Sequence, residues 1–176
     1  MTVSAEQISK AKAAGLQNVD IAAKVADEVP DIIFYQLCAL LEKESMGRNV
    51  YGHDSGGALS GFPKTVNQHN YAVFRWLVFD KGQTSNGVGP MQLTYKGFFT
   101  DMEGEGLKPW DIHDNILYGG KLWTGYYRSY RDDGLSVSEA IKKAGTRYNG
   151  ASAYGDRLLV IMDKWRDRVG ITDAKN

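Results

Sequence analysis

A chain of 176 residues is long enough to bury about two-thirds of its unfolded surface in one core, so it needs no disulfide or metal to hold it together. Hydrophobic residues at 43% and charged residues at 24% are ordinary globular values. Its 21 basic residues balance 21 acidic ones, which argues against a nucleic-acid binder working by phosphate neutralisation; local basic patches remain at Arg128 with Arg131, and at Lys142, Lys143 and Arg147. The single cysteine, Cys38, lies in an apolar run and reads as a small core residue with no internal disulfide partner. No basic segment followed by an apolar one opens the chain, and no apolar run approaches the length of a membrane span. A soluble protein without its own secretory signal is expected.

Ser4-Ala5-Glu6-Gln7 reads as a capping box opening a short helix that Gly15 closes. Asp20 is placed to cap a second helix, IAAKVADEV, and Pro30 breaks the chain after it. Residues 1–29 show no chemistry and read as packing for the longer apolar helix that comes after Pro30.

The run from Asp31 to Ser45, DIIFYQLCALLEKES, is an apolar helix that ends on a carboxylate. At about 100° per residue, Ile33, Leu37, Leu40 and Leu41 share a stripe that Glu44 continues, while Glu42 points away. A carboxylate on a buried face is costly unless it is paired, protonated or at a cleft edge. Glu44 is therefore either a catalytic acid or a surface residue where the stripe runs out.

From Met46 to about Asn67 the chain turns glycine-rich, and long loops in compact domains are often functional. Tyr51 is a candidate substrate contact there. Asp54 is either a second carboxylate facing Glu44 or a turn residue bonding its own backbone. His53 beside it suggests a metal only weakly, because no further ligand lies at useful spacing, and no metal or cofactor is expected. YAVFRWLVF, residues 71–79, is a buried helix capped by Asn67 or Asn70, or a buried strand. Its Tyr71 and Trp76 fit core packing better than sugar stacking.

SNGVGPMQLT, residues 85–94, fixes an irregular backbone that presents Met91 and Gln92 before Thr94, a candidate cap for YKGFFTDM. Gln92 offers both a donor and an acceptor to a sugar amide or hydroxyl; the alternative is an ordinary turn with Met91 in the core. NILYGGKLWTGYYRSY follows Asp111 and Asp114, and its mid-helical Gly119 and Gly120 imply close packing against another element. A capping box at Ser136 and Glu139 opens a helix ending at Tyr148, Asn149 and Gly150, and DRLLVIMDKWRDRV closes the domain. Helices with little strand alternation predict one mainly α domain over residues 1–176, with at most a small β-hairpin and a polar tail or linker at 171–176.

Glu44-Ser45, GVGPMQLT, NILYGG and RYNG follow the order of four signatures, E-S, G-x-M-Q, N-I-x-x-G and A-Y-N. Residues 31–150 thereby resemble the lysozyme-like superfamily of goose-type lysozymes and soluble lytic transglycosylases. LCALLEKESMGRNVYGHDSGGALSGFP is similar to the muramidase-type domain of endolysins from mycobacteriophages and other actinobacterial phages. The resemblance implies a lysozyme-like (α+β) fold whose central helix carries the acid, and cleavage of the β-1,4 bond between N-acetylmuramic acid and N-acetylglucosamine in peptidoglycan. It makes Glu44 the catalytic acid with Ser45 as neighbour, places Met91 and Gln92 along the glycan cleft, sets Tyr148 and Asn149 beside the acid, and gives Asn115, Ile116 and Gly119 structural roles.

This sequence departs from the goose-type pattern at Thr94, where an aspartate is common, which leaves Asp54 as the candidate second carboxylate. The loop between Glu44 and Gln92 is also longer. A lytic transglycosylase, a non-catalytic peptidoglycan-binding module and a purely structural helical domain are the rival expectations. The partner implied is the peptidoglycan strand, met by a monomer or one module of a larger endolysin. Such a lysin is made in the host cytoplasm and reaches the wall after holin-type release.

Overall fold

The computed structural model describes residues 2–29, 31–54, 56–59 and 64–170. The chain break expected at Pro30, part of the glycine-rich loop including Gly61 and Pro63, and the tail at 171–176 lie outside the described residues. The fold is mainly α: α1 (Ala5–Ala13), α2 (Val19–Glu28), α3 (Phe34–Glu44), α4 (Gln68–Arg75) continuing into a π-helical turn (Trp76–Asp80), α5 (Lys96–Gly104), α6 (Ile112–Asp132), α7 (Val137–Asn149) and α8 (Ser152–Val169). Among the described residues, β pairing is confined to isolated bridges, Val50 with Thr65, Tyr51 with Val88, Gly57 with Thr84 and Val88 with Leu93. The small hairpin expected from sequence is reduced to these contacts.

Helix α3 is the axis of the molecule. Every residue from Phe34 to Leu41 is buried, because the run is apolar on all sides and packs between α2 and α8. The one amide in that run, Gln36, is satisfied by Trp123 Nε1–H, which donates to its Oε1 at 3.0 Å. Burial of Cys38 pushes its thiol far above the usual range and leaves it inert. Asp31, just before α3, takes both guanidinium nitrogens of Arg128 on α6 at 2.5 Å.

Most helix starts follow the local chemistry. Ser4 with Gln7, Asn67 with Asn70 and Ser136 with Glu139 form capping boxes, and Asp111 accepts from Asp114 N–H at the head of α6. Three starts differ from expectation, those of α2, α5 and α8. Helix α2 begins after Asn18 in the left-handed region at φ 54°, and Asp20 in its first turn pairs with Lys12 at 2.7 Å. Tertiary bonds override the local preference there: Gln17 N–H donates to Met46 O at 3.0 Å and Asn18 Nδ2 to Gly47 O at 2.7 Å, tying the α1–α2 corner to the turn after Glu44. Thr94 caps nothing; its hydroxyl donates to Gln92 O at 3.1 Å, and Tyr95 precedes α5.

The segment at 71–79 is helical. Tyr71 and Phe74 join Tyr51, Phe99 and Trp110 in an aromatic cluster, while Trp76 on the π turn is half exposed under Lys81. Gly119 and Gly120 are close-packed as expected: a Cβ on Gly119 would lie 2.7 Å from the Met91 side chain, and one on Gly120 2.9 Å from Ile32.

Helix α8 starts at Ser152, a turn before the expected Asp156. That first turn lies against α7, where a Cβ on Gly155 would meet Lys142 O at 2.1 Å and one on Gly145 would meet Gly155 Cα at 2.9 Å. The two backbones cross there with no room for a side chain. The crossing carries Tyr154 inward. Gly155→Ala is predicted to destabilise the fold by about 1–3 kcal/mol despite the better helix propensity of alanine. Chemical denaturation checks this, and an unchanged or raised midpoint would contradict the crossing.

Candidate active site

Glu44 is the last residue of α3, with its side chain half-buried where the helix emerges from the core. The chain turns sharply after it, through Met46 at φ 59° and Gly47 at φ 73°. Tyr154 of α8, itself 5% exposed, donates its hydroxyl to Glu44 Oε1. No described residue donates to Oε2, so one oxygen is anchored and the other is open to a ligand. Lys43 Nζ sits 5.0 Å from the centre of the Tyr154 ring.

Burial dominates the electrostatics and pushes the Glu44 carboxyl above the usual glutamate range. The Tyr154 hydrogen bond and the Lys43 ammonium pull the other way, and the Asp54 carboxylate pushes it further up. Burial and the Glu44 charge together drive Tyr154 and Tyr148 well above the normal tyrosine range, so neither phenol is a proton shuttle near neutral pH.

The segment 85–94 closes one side of the site and is held from three directions. Ser45 Oγ donates to Pro90 O at 2.8 Å, Tyr148 Oη donates to Met91 O at 2.9 Å, and Asn115 accepts from Met91 N–H at 3.0 Å while its amide donates to Val88 O at 3.1 Å. Gln92 therefore sits in the left-handed region at φ 49°, a conformation imposed by these bonds. Its Nε2 donates to Val50 O at 2.9 Å and Gly89 O at 2.8 Å, while its carbonyl oxygen, with no donor among the described residues, lies against Gly52 and Gly87.

Asp54 is exposed. Its Oδ2 accepts from Gly87 N–H at 2.8 Å, so the carboxylate bonds a distant loop and not its own backbone, while its main-chain carbonyl accepts from Gly57 N–H at 3.0 Å. Gly87 and Gly52 are essential to that arrangement. A Cβ on Gly87 would lie 2.5 Å from Gln92 Oε1, and one on Gly52 would fall within 2.7 Å of both Gln92 Oε1 and Asp54 Oδ2.

The structure thus brings Glu44, Asp54, Gln92 and Tyr148 to one place, with Ser45 and Met91 beneath them. Ser45 is buried and spends its hydroxyl on Pro90, and Met91 is fully buried against Gly119, so both support the site from below. Tyr51 lies in the aromatic cluster at 4% exposure, with its hydroxyl donating to Asn70 Oδ1 at 2.9 Å; it props the loop from inside. Asn149 is exposed at the end of α7.

Sequence reasoning missed Tyr154, Lys43 and the Gly52–Gly87 cradle. The available signal for Tyr154 was a tyrosine beside a glycine, SAYGD, at the head of a helical run. Asp111, His113 and Asp114 hold ligand atoms within 4.8 Å of one another, but Asp111 caps α6, Asp114 accepts from Lys108 N–H at 2.9 Å, and His113 is engaged by both Glu28 at 2.8 Å and Asp114 at 3.1 Å. These side chains lock α2 to α6. No protein-family model, characterised protein or solved structure matches the chain.

A half-buried carboxyl whose pKa is raised by burial, within the field of an exposed carboxylate, can donate a proton to a leaving oxygen at a higher pH than a free glutamate can. The raised pKa of Glu44 also bears on stability. The folded state tolerates the protonated form fully below the ordinary glutamate pKa, and loses stability as pH rises from there through the raised folded value. Glutamine does not titrate. The stability of Glu44→Gln relative to wild type is therefore predicted to grow as pH rises above about 4 and to level off once Glu44 has ionised. Thermal melts across pH test this, and a pH-independent difference would contradict it.

Proposed function

We propose that the protein is a peptidoglycan-degrading glycosidase, a phage endolysin muramidase, in which Glu44 is the general acid. The observation that carries this reading is the Glu44 carboxyl at the end of a buried helix, its pKa raised by burial and one oxygen anchored by Tyr154, beside the Gln92 loop and the Asp54 carboxylate. The signatures at Glu44-Ser45, GVGPMQLT, NILYGG and RYNG supply the substrate class: the β-1,4 bond between N-acetylmuramic acid and N-acetylglucosamine. No helix among the described residues is long and apolar enough to cross a membrane, and the lysin reading requires none. Access to the wall then depends on a holin-type breach of the host membrane.

Glu44 gives its proton to the glycosidic oxygen as the bond to the anomeric carbon breaks, and charge gathers on that carbon as an oxocarbenium-like centre. Asp54 takes a proton from a water on the opposite ring face, and the water oxygen bonds to the anomeric carbon with inversion. This geometry calls for carboxyl groups about 6.5–9.5 Å apart. Gln92 Oε1 accepts from a sugar hydroxyl or amide N–H. Tyr154 is a positioning residue that turns Oε2 toward the bond being cut.

Turbidity of actinobacterial cell walls tests the proposal. Wild type is expected to clear them, with Glu44→Gln slower by at least about a hundredfold, since general acid catalysis contributes about 10² to 10⁴. Lysis by Glu44→Gln at the wild-type rate would remove the assignment. The product mass separates two outcomes: a reducing-end product follows from attack by water, whereas a product lighter by one water is the 1,6-anhydro sugar of a lytic transglycosylase.

A further inference from the structure

The basic patch on α7, Lys142, Lys143 and Arg147, has no part in the acid–base chemistry of Glu44 and Asp54. Its members differ in how far they are already committed. Lys142 Nζ pairs with Asp156 at 2.9 Å, which fastens α7 to α8. Lys143 lies 5.9 Å from the Tyr130 ring centre and within the field of Glu139, whose carboxyl it helps to hold below the usual range. Arg147 is exposed and takes part in no ion pair among the described residues. Its guanidinium carbon lies over the Tyr126 ring on α6, 4.3 Å from the ring centre, a cation–π contact that steadies an exposed side chain.

Helix α7 places this cation beside the site, because Arg147 directly precedes Tyr148. Tyr148 in turn donates to Met91 O, next to Gln92. Arg147 thus lies on the α6–α7 face, one residue before the tyrosine that holds the 85–94 segment.

We infer that Arg147, stacked on Tyr126, is a subsite for a carboxylate carried by the glycan next to the bond being cut. The inference rests on the glycosidase reading. A planar guanidinium matches a carboxylate in a two-point hydrogen bond, and the tyrosine beneath it reduces the side-chain freedom lost on binding. In peptidoglycan, such carboxylates stand on the stem peptide or, where no peptide is attached, on the lactyl group of N-acetylmuramic acid; a chitin oligomer has none. The subsite therefore selects muramyl glycan over a neutral glycan of the same length.

Calorimetric titration of the Glu44→Gln protein, which binds without cutting, tests this with three tetrasaccharides. One carries stem peptides, one has been stripped to its lactyl carboxylates, and chitotetraose carries no carboxylate. Adding Arg147→Ala is expected to weaken binding of the carboxylate-bearing ligands about tenfold, the size of one charge-assisted hydrogen bond, and of chitotetraose by less than about twofold. Loss on the peptide ligand alone assigns the carboxylate to the stem, loss on the stripped ligand alone assigns it to the lactyl group, and loss on both shows that Arg147 takes either. Arg147→Lys keeps the charge but not the planar fork, and is expected to recover only part of the loss. Equal weakening for all three ligands, or none for any, overturns the subsite while leaving the glycosidase reading intact. Absence of binding to every glycan, with Arg147 present, overturns both.

Discussion

The arrangement depends on one constraint: a carboxyl group at the exit of a helix that is buried almost along its whole length. Helix α3 is apolar on every side through Leu41, where α2 and α8 enclose it, and its last turn, Glu42 to Glu44, emerges from the core. The solvent that would favour an ionised glutamate is largely excluded there, and the nearest charges oppose one another, Lys43 against Asp54. Such a group stays protonated to higher pH than a free glutamate and is suited to giving up a proton when a leaving oxygen needs one.

The rest of the structure keeps that carboxyl and its neighbours in register. The α1–α2 corner binds the turn after Glu44 through Gln17 and Asn18. Ser45, Asn115 and Tyr148, from three different elements, fix successive carbonyls and amides of the 85–94 segment and oblige Gln92 to adopt a left-handed backbone. The α7–α8 crossing at Gly145 and Gly155 brings Tyr154 against Glu44. Each of these contacts joins residues distant in sequence, so the site forms only once the helices have packed.

That distinction explains what could be read from the chain. Local and periodic features were legible: the capping boxes at Ser4 and Ser136, the apolar run ending on Glu44, and the close packing at Gly119 and Gly120. Features set by tertiary geometry were not. Asp20 has good capping chemistry, but bonds from Gln17 and Asn18 to the far side of α3 start the helix elsewhere. Tyr51 sits in a loop full of polar residues, yet its ring belongs to the core aromatic cluster. Tyr154 has no periodic signature that marks it as a partner of Glu44, 110 residues earlier in the chain. The glycine-rich stretch signalled close backbone approach, but not that Gly52 and Gly87 make room for the side chains of Asp54 and Gln92.

Carbon-13 NMR titration of the Glu44 side-chain carboxyl in the wild-type protein bears most directly on this account, because it reads the protonation of that one group without relying on any substrate. The midpoint is expected to lie clearly above the ordinary glutamate value, with the shift lost on unfolding in denaturant. A midpoint at the value of a free glutamate would contradict the claim that burial holds this acid ready.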